Sequence, residues 1–303
     1  MYQIITDGSC DLGKVRAEEL GVEVVPFYVS MDGKVYQKEI EEVGVREFYD
    51  FMVHNPNVFP KSSLPSVEDY IQVFTKYAKQ NIPMICICIT LKFSGSFNSA
   101  MNAKQIVEED YPEAKITVVD STVNTVLQGT FVMELLRSQK AGATYEEVLQ
   151  YIENMKSTGR IFFTVDSVDY LAKGGRIGRL AKLATGTLNI KPLIVLREGE
   201  IFPAGISRGR EKAKKKVMEQ TVKYIRENGD DPDQYAINVG YGYGYSEGKE
   251  FQKDFIELLK KYWPKAKAEV GILQIGATIG VHTGPLPLGF GIIKKFDAPE
   301  ERA

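Results

Sequence analysis

Residues 84–100 read Met84-Ile-Cys-Ile-Cys-Ile-Thr-Leu-Lys-Phe-Ser-Gly-Ser-Phe-Asn-Ser-Ala100. The first seven residues are an apolar run of the length of a buried strand, and the Ser/Gly group after it predicts a turn into a helix. A helix N-terminus presents free backbone N–H groups and the positive end of the helix dipole, which favour a carboxylate or phosphate. Ser94 and Ser96 add hydroxyl donors, and Gly95 lets a ligand approach the backbone. Helix capping alone is the simpler interpretation of these serines, and both interpretations stay open.

Similar units of strand and helix flank this stretch. The predicted strands are Gln3–Thr6, Glu23–Val29 and Ile116–Asp120, and the predicted helices are Val67–Ala78, Ser99–Glu109 and Tyr145–Lys156. Strands that alternate with helices are typical of βαβ units and of a mostly parallel sheet. Several of the strands run into polar loops, and ligands of open parallel sheets bind at the carboxyl ends of strands. The sequence therefore predicts a site at that edge.

A break in this pattern near Ser157–Arg160 divides the chain. Its 303 residues are too many for one ordinary core and suit two domains. We predict an N-terminal α/β domain of residues 1–160, with a mostly parallel sheet and flanking helices. The C-terminal α/β domain is predicted over residues 161–297, where a hairpin around Arg197–Glu200 and a final antiparallel strand indicate a mixed sheet.

The composition limits the classes of partner. A net charge of −2 predicts no general attraction to nucleic acid or to an anionic membrane. Cys86 and Cys88 point to one face of a buried strand, and two histidines are too few for a His/Cys metal cluster. The first residues do not resemble a signal peptide, and no apolar run reaches membrane-spanning length. We expect a cytoplasmic protein that would carry any lipid in a pocket and touch membranes only transiently.

Three further motifs contain side chains that could bind an anion. Ser62 and Ser63 lie between two prolines just before a predicted helix, where capping is again the simpler interpretation. Arg176 follows two glycines, which indicates either a tight turn or a guanidinium presented to an anion. His282 lies in a glycine-rich segment that reads as a loop, and its role could be structural or functional.

Taken together, these motifs resemble the DegV family of bacterial fatty-acid-binding proteins. The resemblance runs in order from about residue 2 to 296 and is carried by Ile5–Ser9, Val25–Phe27, Lys61–Ser66, Phe93–Ala100, Leu171–Ile177 and His282–Pro285. It implies a two-domain fold that encloses a long-chain acyl group such as palmitate, with no other cofactor. It also implies that residues 1–160 carry the loops that bind the carboxylate and that residues 161–297 cover the acyl chain.

The resemblance assigns roles residue by residue. It implies that the carboxylate is held by the hydroxyls of Ser62, with Ser63 beside it, and of Ser94, while Arg176 and His282 fall on two further family motifs. It implies a binding protein rather than an enzyme, which presents the fatty acid to a partner fatty acid kinase for acyl-phosphate formation. Here Leu64 replaces a Gln of the family pattern, Ser62 replaces a Thr, and the loop before Ser94 is shorter, which affects the shape of the pocket.

Two other functions remain possible from the sequence. A serine esterase could use Ser94 and His282, because a strand–Ser–helix turn resembles a nucleophile elbow, although Lys92 stands where that motif needs Gly. A subunit of a small-molecule kinase is the third possibility, although no P-loop motif is present in the sequence.

Overall fold

The computed structural model describes residues 2–183 and 189–296; residue 297, the predicted end of the C-terminal domain, lies outside the described residues. The strands are β1 (Gln3–Asp7), β2 (Glu23–Val25), β3 (Tyr28–Ser30), β4 (Gln37–Lys38), β5 (Lys61–Ser63), β6 (Met84–Cys88), β7 (Ile116–Asp120), β8 (Arg160–Thr164), β9 (Ile190–Arg197), β10 (Glu200–Arg208), β11 (Tyr235–Tyr241), β12 (Val270–Gln274) and β13 (Leu288–Lys294). The α-helices are α1 (Gly13–Leu20), α2 (Val45–His54), α3 (Val67–Ala78), α4 (Ser96–Asp110), α5 (Thr125–Lys140), α6 (Tyr145–Met155), α7 (Asp169–Lys173), α8 (Arg210–Glu227), α9 (Tyr245–Tyr262) and α10 (Ala277–Thr283).

The N-terminal half contains a four-stranded sheet in the order β2-β1-β6-β7, in which all neighbours are parallel. Every residue of β6 is buried, because helices cover both faces of the sheet. Cys86 and Cys88 pack with α3 and α4 on one face, while Ile85 and Ile87 face the opposite core. This alternation explains the continuous apolar run, and it confirms the predicted parallel sheet with flanking helices.

The C-terminal half contains a six-stranded sheet in the order β10-β9-β8-β13-β11-β12. Only β11 and β12 are parallel, and the other neighbours are antiparallel, so the predicted mixed sheet is confirmed. Helices α8 and α9 cover one face through a buried apolar cluster. Within that cluster Phe290 of β13 lies between Phe251 and Phe255 of α9, with ring centroids 4.5 and 4.1 Å apart.

Helix α5 connects the two sheets physically. It follows β7 in the chain, yet it packs directly on β11 and β13 of the six-stranded sheet. A side chain at Gly291 of β13 would place its Cβ 2.9 Å from the backbone nitrogen of Leu127, so the absence of one permits this contact. Buried residues from both halves, such as Phe131 and Ile293, therefore share one core, and the boundary near residue 160 stays a prediction.

A third, small sheet of order β4-β3-β5 lies beside α2 and α10 and was not predicted. It corrects two expectations. The strand predicted over Glu23–Val29 is divided into β2 and β3, because the chain leaves the parallel sheet at Pro26 and Phe27. The segment around His282 is helix α10 rather than a glycine-rich loop, because the apolar residues of Ala277–Thr283 are buried against α2 and the small sheet.

Candidate ligand-binding cavity

A cavity of about 210 Å³, here called the mouth cavity, lies where the two halves of the chain meet. Its apolar lining consists of Phe27, Leu64, Ile89, Phe93, Phe163, Leu171, Ile201 and Ile279. Its polar lining consists of Ser62, Ser63, Ser94, Asn124, Arg176, Thr278, His282 and Thr283. Ser63, Leu64 and Arg176 are exposed, so they mark the side on which the cavity reaches the surface.

A narrower cavity of about 40 Å³, here called the inner cavity, adjoins the first. The two cavities share the lining residues Asn124, Phe163, Ile201, Ile279 and Thr283. The rest of the inner lining is Thr125, Val126, Ile161, Leu196, Gly240, Ile275, Pro287, Leu288 and Gly289. The combined space has polar groups at its surface end and a mostly apolar wall at its inner end, which is the shape of a site for an amphipathic chain.

The structure brings Ser62 and His282 together across 220 positions of sequence. Ser62 lies in β5, where it pairs with Val29 of β3, and not at a helix N-terminus as the sequence suggested. Its Oγ lies 3.1 Å from Nε2 of His282. Helix α3 begins only at Val67 and is capped by Ser66, so the hydroxyl of Ser62 is not used as a cap. Oγ of Ser62 and Nε2 of His282 therefore meet within the lining of the mouth cavity.

Helix α10 is fixed by two buried carboxyl groups that the sequence analysis missed. Glu39 accepts hydrogen bonds from the backbone N–H groups of Ala277 and Thr278, and Asp11 accepts one of 2.9 Å from Gly276. Burial raises the pKa of both carboxyls, that of Asp11 to about 8, against the lowering effect of these hydrogen bonds. The helix presents four residues to the mouth cavity, so these two groups position a large part of the wall.

Arg176 connects the Gly-Gly-Arg turn to the loop before α4. Its Nε donates to the backbone carbonyl of Phe93 at 3.2 Å, and Nη1 donates to that of Gly174 at 2.7 Å. Gly175 adopts the left-handed region with φ of +70°, which a side chain would strain. Gly174 has a different reason to be glycine, because a Cβ there would lie 2.1 Å from Nδ1 of His282.

Substitution of Gly174 therefore tests this close approach. Gly174→Ala is expected to displace the His282 ring and to destabilise the fold by about 1–3 kcal/mol, the usual cost of overpacking. Gly175→Ala is the matched control, because its Cβ meets no atom within 4 Å and only backbone strain is added. NMR of the imidazole should show a shifted His282 signal in Gly174→Ala alone. The same shift in both variants would contradict the assigned contact.

The loop before α4 divides the predicted serines between two roles. Ser94 lines the mouth cavity, and its Oγ accepts a hydrogen bond of 3.2 Å from the backbone of Ser96. Gly95 occupies the N-cap position of α4 and is not among the cavity-lining residues. Ser96 also lies outside that lining, because its hydroxyl is buried between Asp7 at 2.8 Å and the hydroxyl of Tyr70 at 2.7 Å. The Ser96 hydroxyl thus makes structural contacts, whereas Ser94 lies in the lining of the mouth cavity.

Asp7, at the end of β1, is buried and holds this loop in place through hydrogen bonds. Its carboxylate accepts hydrogen bonds from two side-chain hydroxyls, one side-chain amide and two backbone N–H groups. The donors are Ser9, Ser96, Gln128 and Ile89. Burial raises the pKa of Asp7, while these bonds act in the opposite direction. They join the ends of two strands to α4 and α5, which holds the Ser94 turn in place.

The electrostatics of His282 follow from its position. Burial, and secondarily the positive charge of Arg176, lower the pKa of His282 to about 4. Its Nδ1 is buried and has no hydrogen-bond partner within residues 2–183 and 189–296. A serine esterase would need the histidine beside Ser94 with a carboxylate on its far nitrogen. Here the partner of Nε2 is Ser62 and the backbone of Gly174 packs against Nδ1, which disfavours an esterase based on Ser94 and His282.

This pKa predicts a pH dependence of stability. The folded state holds the His282 proton less tightly than the unfolded state, whose value is near 6.5, so stability falls as the pH drops from 6.5 towards 4. The loss attributable to this side chain is on the order of 3 kcal/mol, and His282→Gln should remove it. Urea unfolding at pH 7 and pH 4.5 measures the difference between wild type and variant.

The second histidine supplies the control for that experiment. His54 is exposed at the end of α2 and lines neither cavity, so His54→Gln should keep the pH dependence that is attributed to His282. The same variant leaves His282 as the one imidazole in the NMR spectrum. Titration of that signal near pH 6.5 would contradict the buried, neutral His282 described here.

The described residues thus form an α/β protein with two adjoining cavities, one with a partly polar lining and one with a mostly apolar lining. A family model described as an uncharacterised protein of the DegV family matches residues 1–295. A DegV domain-containing protein of Clostridium acetobutylicum is 30% identical over 290 residues, which cover 95% of each chain. The chain therefore belongs to the DegV family, as the sequence resemblance suggested.

Solved structures agree with this assignment. A stearic-acid-binding protein from Eubacterium ventriosum is 43% identical, with a TM-score of 0.92 over 97% of this chain and 99% of that one. A fatty-acid-binding DegV protein from Thermus thermophilus is 28% identical, with a TM-score of 0.82 over 97% and 99% of the two chains. DegV homologues thus bind fatty acids. Among the described helices none is both long and apolar enough to cross a membrane.

Proposed function

We propose that this protein binds a long-chain fatty acid, such as palmitate, with its carboxylate in the mouth cavity and its chain directed into the inner cavity. The observation that carries the proposal is the polarity of the combined space, which has hydroxyls at its surface end and an apolar wall inside. In this arrangement the hydroxyls of Ser62 and Ser94 hold the carboxylate, with Ser63 beside them at the exposed edge.

The affinity of such a complex would come from the chain rather than from the head group. A sixteen-carbon acid buries about 14 methylenes, worth on the order of 11 kcal/mol at 0.8 kcal/mol each. The loss of ligand freedom reduces this gain, and nanomolar to micromolar binding remains. The hydroxyls then have to satisfy and orient a carboxylate that would otherwise lose its hydration.

The polar groups of the mouth suit presentation of that carboxylate to a second protein. A carboxylate held by hydroxyls keeps more nucleophilic character than one clamped by two guanidinium donors. Arg176 is already bonded to two backbone carbonyls, and His282 is held neutral, so neither is positioned to neutralise the ligand fully. We infer that they assist the orientation of the head group and the docking of a partner at the exposed edge.

The partner in this proposal is a kinase that phosphorylates the bound fatty acid in the cytoplasm. A carboxylate oxygen attacks the γ-phosphorus of ATP, the bond to the bridging oxygen breaks, and acyl phosphate and ADP are formed. The surface that such a kinase would contact includes Ser63, Leu64 and Arg176, the exposed residues of the cavity lining.

Native mass spectrometry of protein purified from bacteria tests the ligand. We expect an added mass equal to that of a long-chain fatty acid, which disappears on delipidation and returns on addition of palmitate. Protein that neither retains nor rebinds a fatty acid would refute the proposal.

The kinase step is tested by incubating the loaded protein with ATP and cell extract and trapping acyl phosphate with hydroxylamine. Hydroxamate that forms equally without this protein would refute the proposed presentation of the fatty acid to a kinase.

A further inference from the structure

Asn124 is a polar side chain at the junction of the two cavities. It lines both the mouth cavity and the inner cavity. Its Oδ1 is buried without a hydrogen-bond partner in the described part of the chain. Thr283 also lines both cavities, but its hydroxyl donates to the backbone carbonyl of Ile279 at 3.2 Å and is therefore satisfied within the protein. The amide oxygen of Asn124 is thus available to a hydrogen-bond donor that enters the cavity.

The backbone around Asn124 holds the side chain in this position. Asn124 precedes α5 with an extended backbone, and its side chain makes no capping hydrogen bond to the helix. The next residue, Thr125, has a φ of +48°, which is unusual for a β-branched side chain. The hydroxyl of Thr125 is hydrogen-bonded to Asp11, the buried group that also binds the N-terminus of α10. A strained residue held by such contacts is typical of sites where a side chain must be aimed.

An apolar acyl chain alone is a poor occupant for this position. A fatty acid that runs from the mouth to the inner cavity passes Asn124, and a plain hydrocarbon would leave the amide without a partner and without water. A hydroxyl on the chain could donate to Oδ1, the atom that has no partner among the described residues. A leucine side chain has a similar shape to asparagine and no polar atoms, so leucine at this position would suit a plain hydrocarbon better.

We propose that Asn124 recognises a hydroxyl group on the acyl chain, so that the preferred ligands are hydroxy fatty acids. This inference rests on the proposed function, because it assumes that the chain occupies both cavities. The hydroxyl of such a ligand lies between its carboxylate and its chain end, where the two cavities meet. Asn124 is then a specificity-determining residue, separate from the serines that hold the carboxylate.

The test compares stearic acid with hydroxystearic acids that carry the hydroxyl at successive positions. At least one isomer should bind the wild type about tenfold more tightly than stearic acid, the effect of one net hydrogen bond. Asn124→Leu should lose this preference and bind stearic acid as well as, or better than, the wild type does. Asn124→Ala serves as the second variant, in which the same loss is expected without a larger side chain.

The remaining outcomes contradict the inference in distinct ways. If every isomer binds the wild type no better than stearic acid, Asn124 does not recognise a hydroxyl on the chain and the inference is wrong. If both variants keep the preference, another residue recognises the hydroxyl. If both variants weaken stearic acid as strongly as the hydroxy acids, Asn124 has a structural role. A wild type that binds neither class of acid would instead refute the proposed function itself.

Discussion

The Ser62→Ala/Ser94→Ala double variant is expected to bind long-chain fatty acids at least about 100-fold more weakly than the wild type. Each hydroxyl is proposed to donate to a buried carboxylate, and a hydrogen bond to a charged group contributes about 1.5–3 kcal/mol. Two such bonds multiply to a factor of 100 or more. Isothermal titration with palmitate, after delipidation, measures the loss, and the formation of acyl phosphate by a partner kinase should fall with it.

The single variants and a capping variant make this result interpretable. Ser66→Ala removes the N-cap of α3, which costs about 1 kcal/mol of stability, but Ser66 does not line the cavity. It should therefore lower the melting temperature and leave palmitate affinity unchanged. In Ser62→Ala the loss should be accompanied by a change in the NMR signal of His282, whose Nε2 lies 3.1 Å from the hydroxyl. Full palmitate affinity in the double variant would remove both serines from the carboxylate site.

The sequence predicted well those helices and strands whose characteristic residues lie next to one another in the chain. The apolar run of β6 and the Ser/Gly turn after it are consecutive in the chain, and α3 has the predicted bounds with Ser66 as its cap. Helix α5 was missed for a physical reason. It is buried on most of its surface between the two sheets, so it lacks the polar face that makes a helix recognisable in sequence.

The contacts that build the cavity are mostly long-range and leave no local pattern. Residues near Ser62 do not indicate that its hydroxyl meets His282, and those near Glu39 do not show that it caps α10. The family resemblance placed Ser62, Ser94, Arg176 and His282 as site candidates, and all four line the mouth cavity. It did not reveal Asn124, whose role depends on the junction of two cavities. The glycine pair before Arg176 is visible in the sequence and indicates a turn. Only the fold shows that one of the two, Gly174, lies against the imidazole of His282.

The length of the bound chain is expected to depend on the contact between β11 and α5 at the inner cavity. Gly240 and Val126 both line that cavity, and a Cβ at Gly240 would lie 3.0 Å from Cγ1 of Val126. Gly240→Val should fill the space of about three methylenes, worth about 2.4 kcal/mol, and weaken stearic acid by about 50-fold. Lauric acid, whose chain ends earlier, should bind as it does to the wild type. A series of saturated acids measured by titration gives the profile.

A second substitution separates loss of space from loss of stability. Val126→Ala removes Cγ1, the atom that a Cβ at Gly240 would approach most closely, so the Gly240→Val/Val126→Ala double variant should recover part of the affinity for stearic acid. Val126→Ala alone enlarges the inner cavity and should shift the optimum towards longer acids. If Gly240→Val weakens lauric and stearic acid by the same factor, and the double variant does not recover, the inner cavity does not hold the chain end. In that case the acyl chain must leave the mouth cavity along another wall.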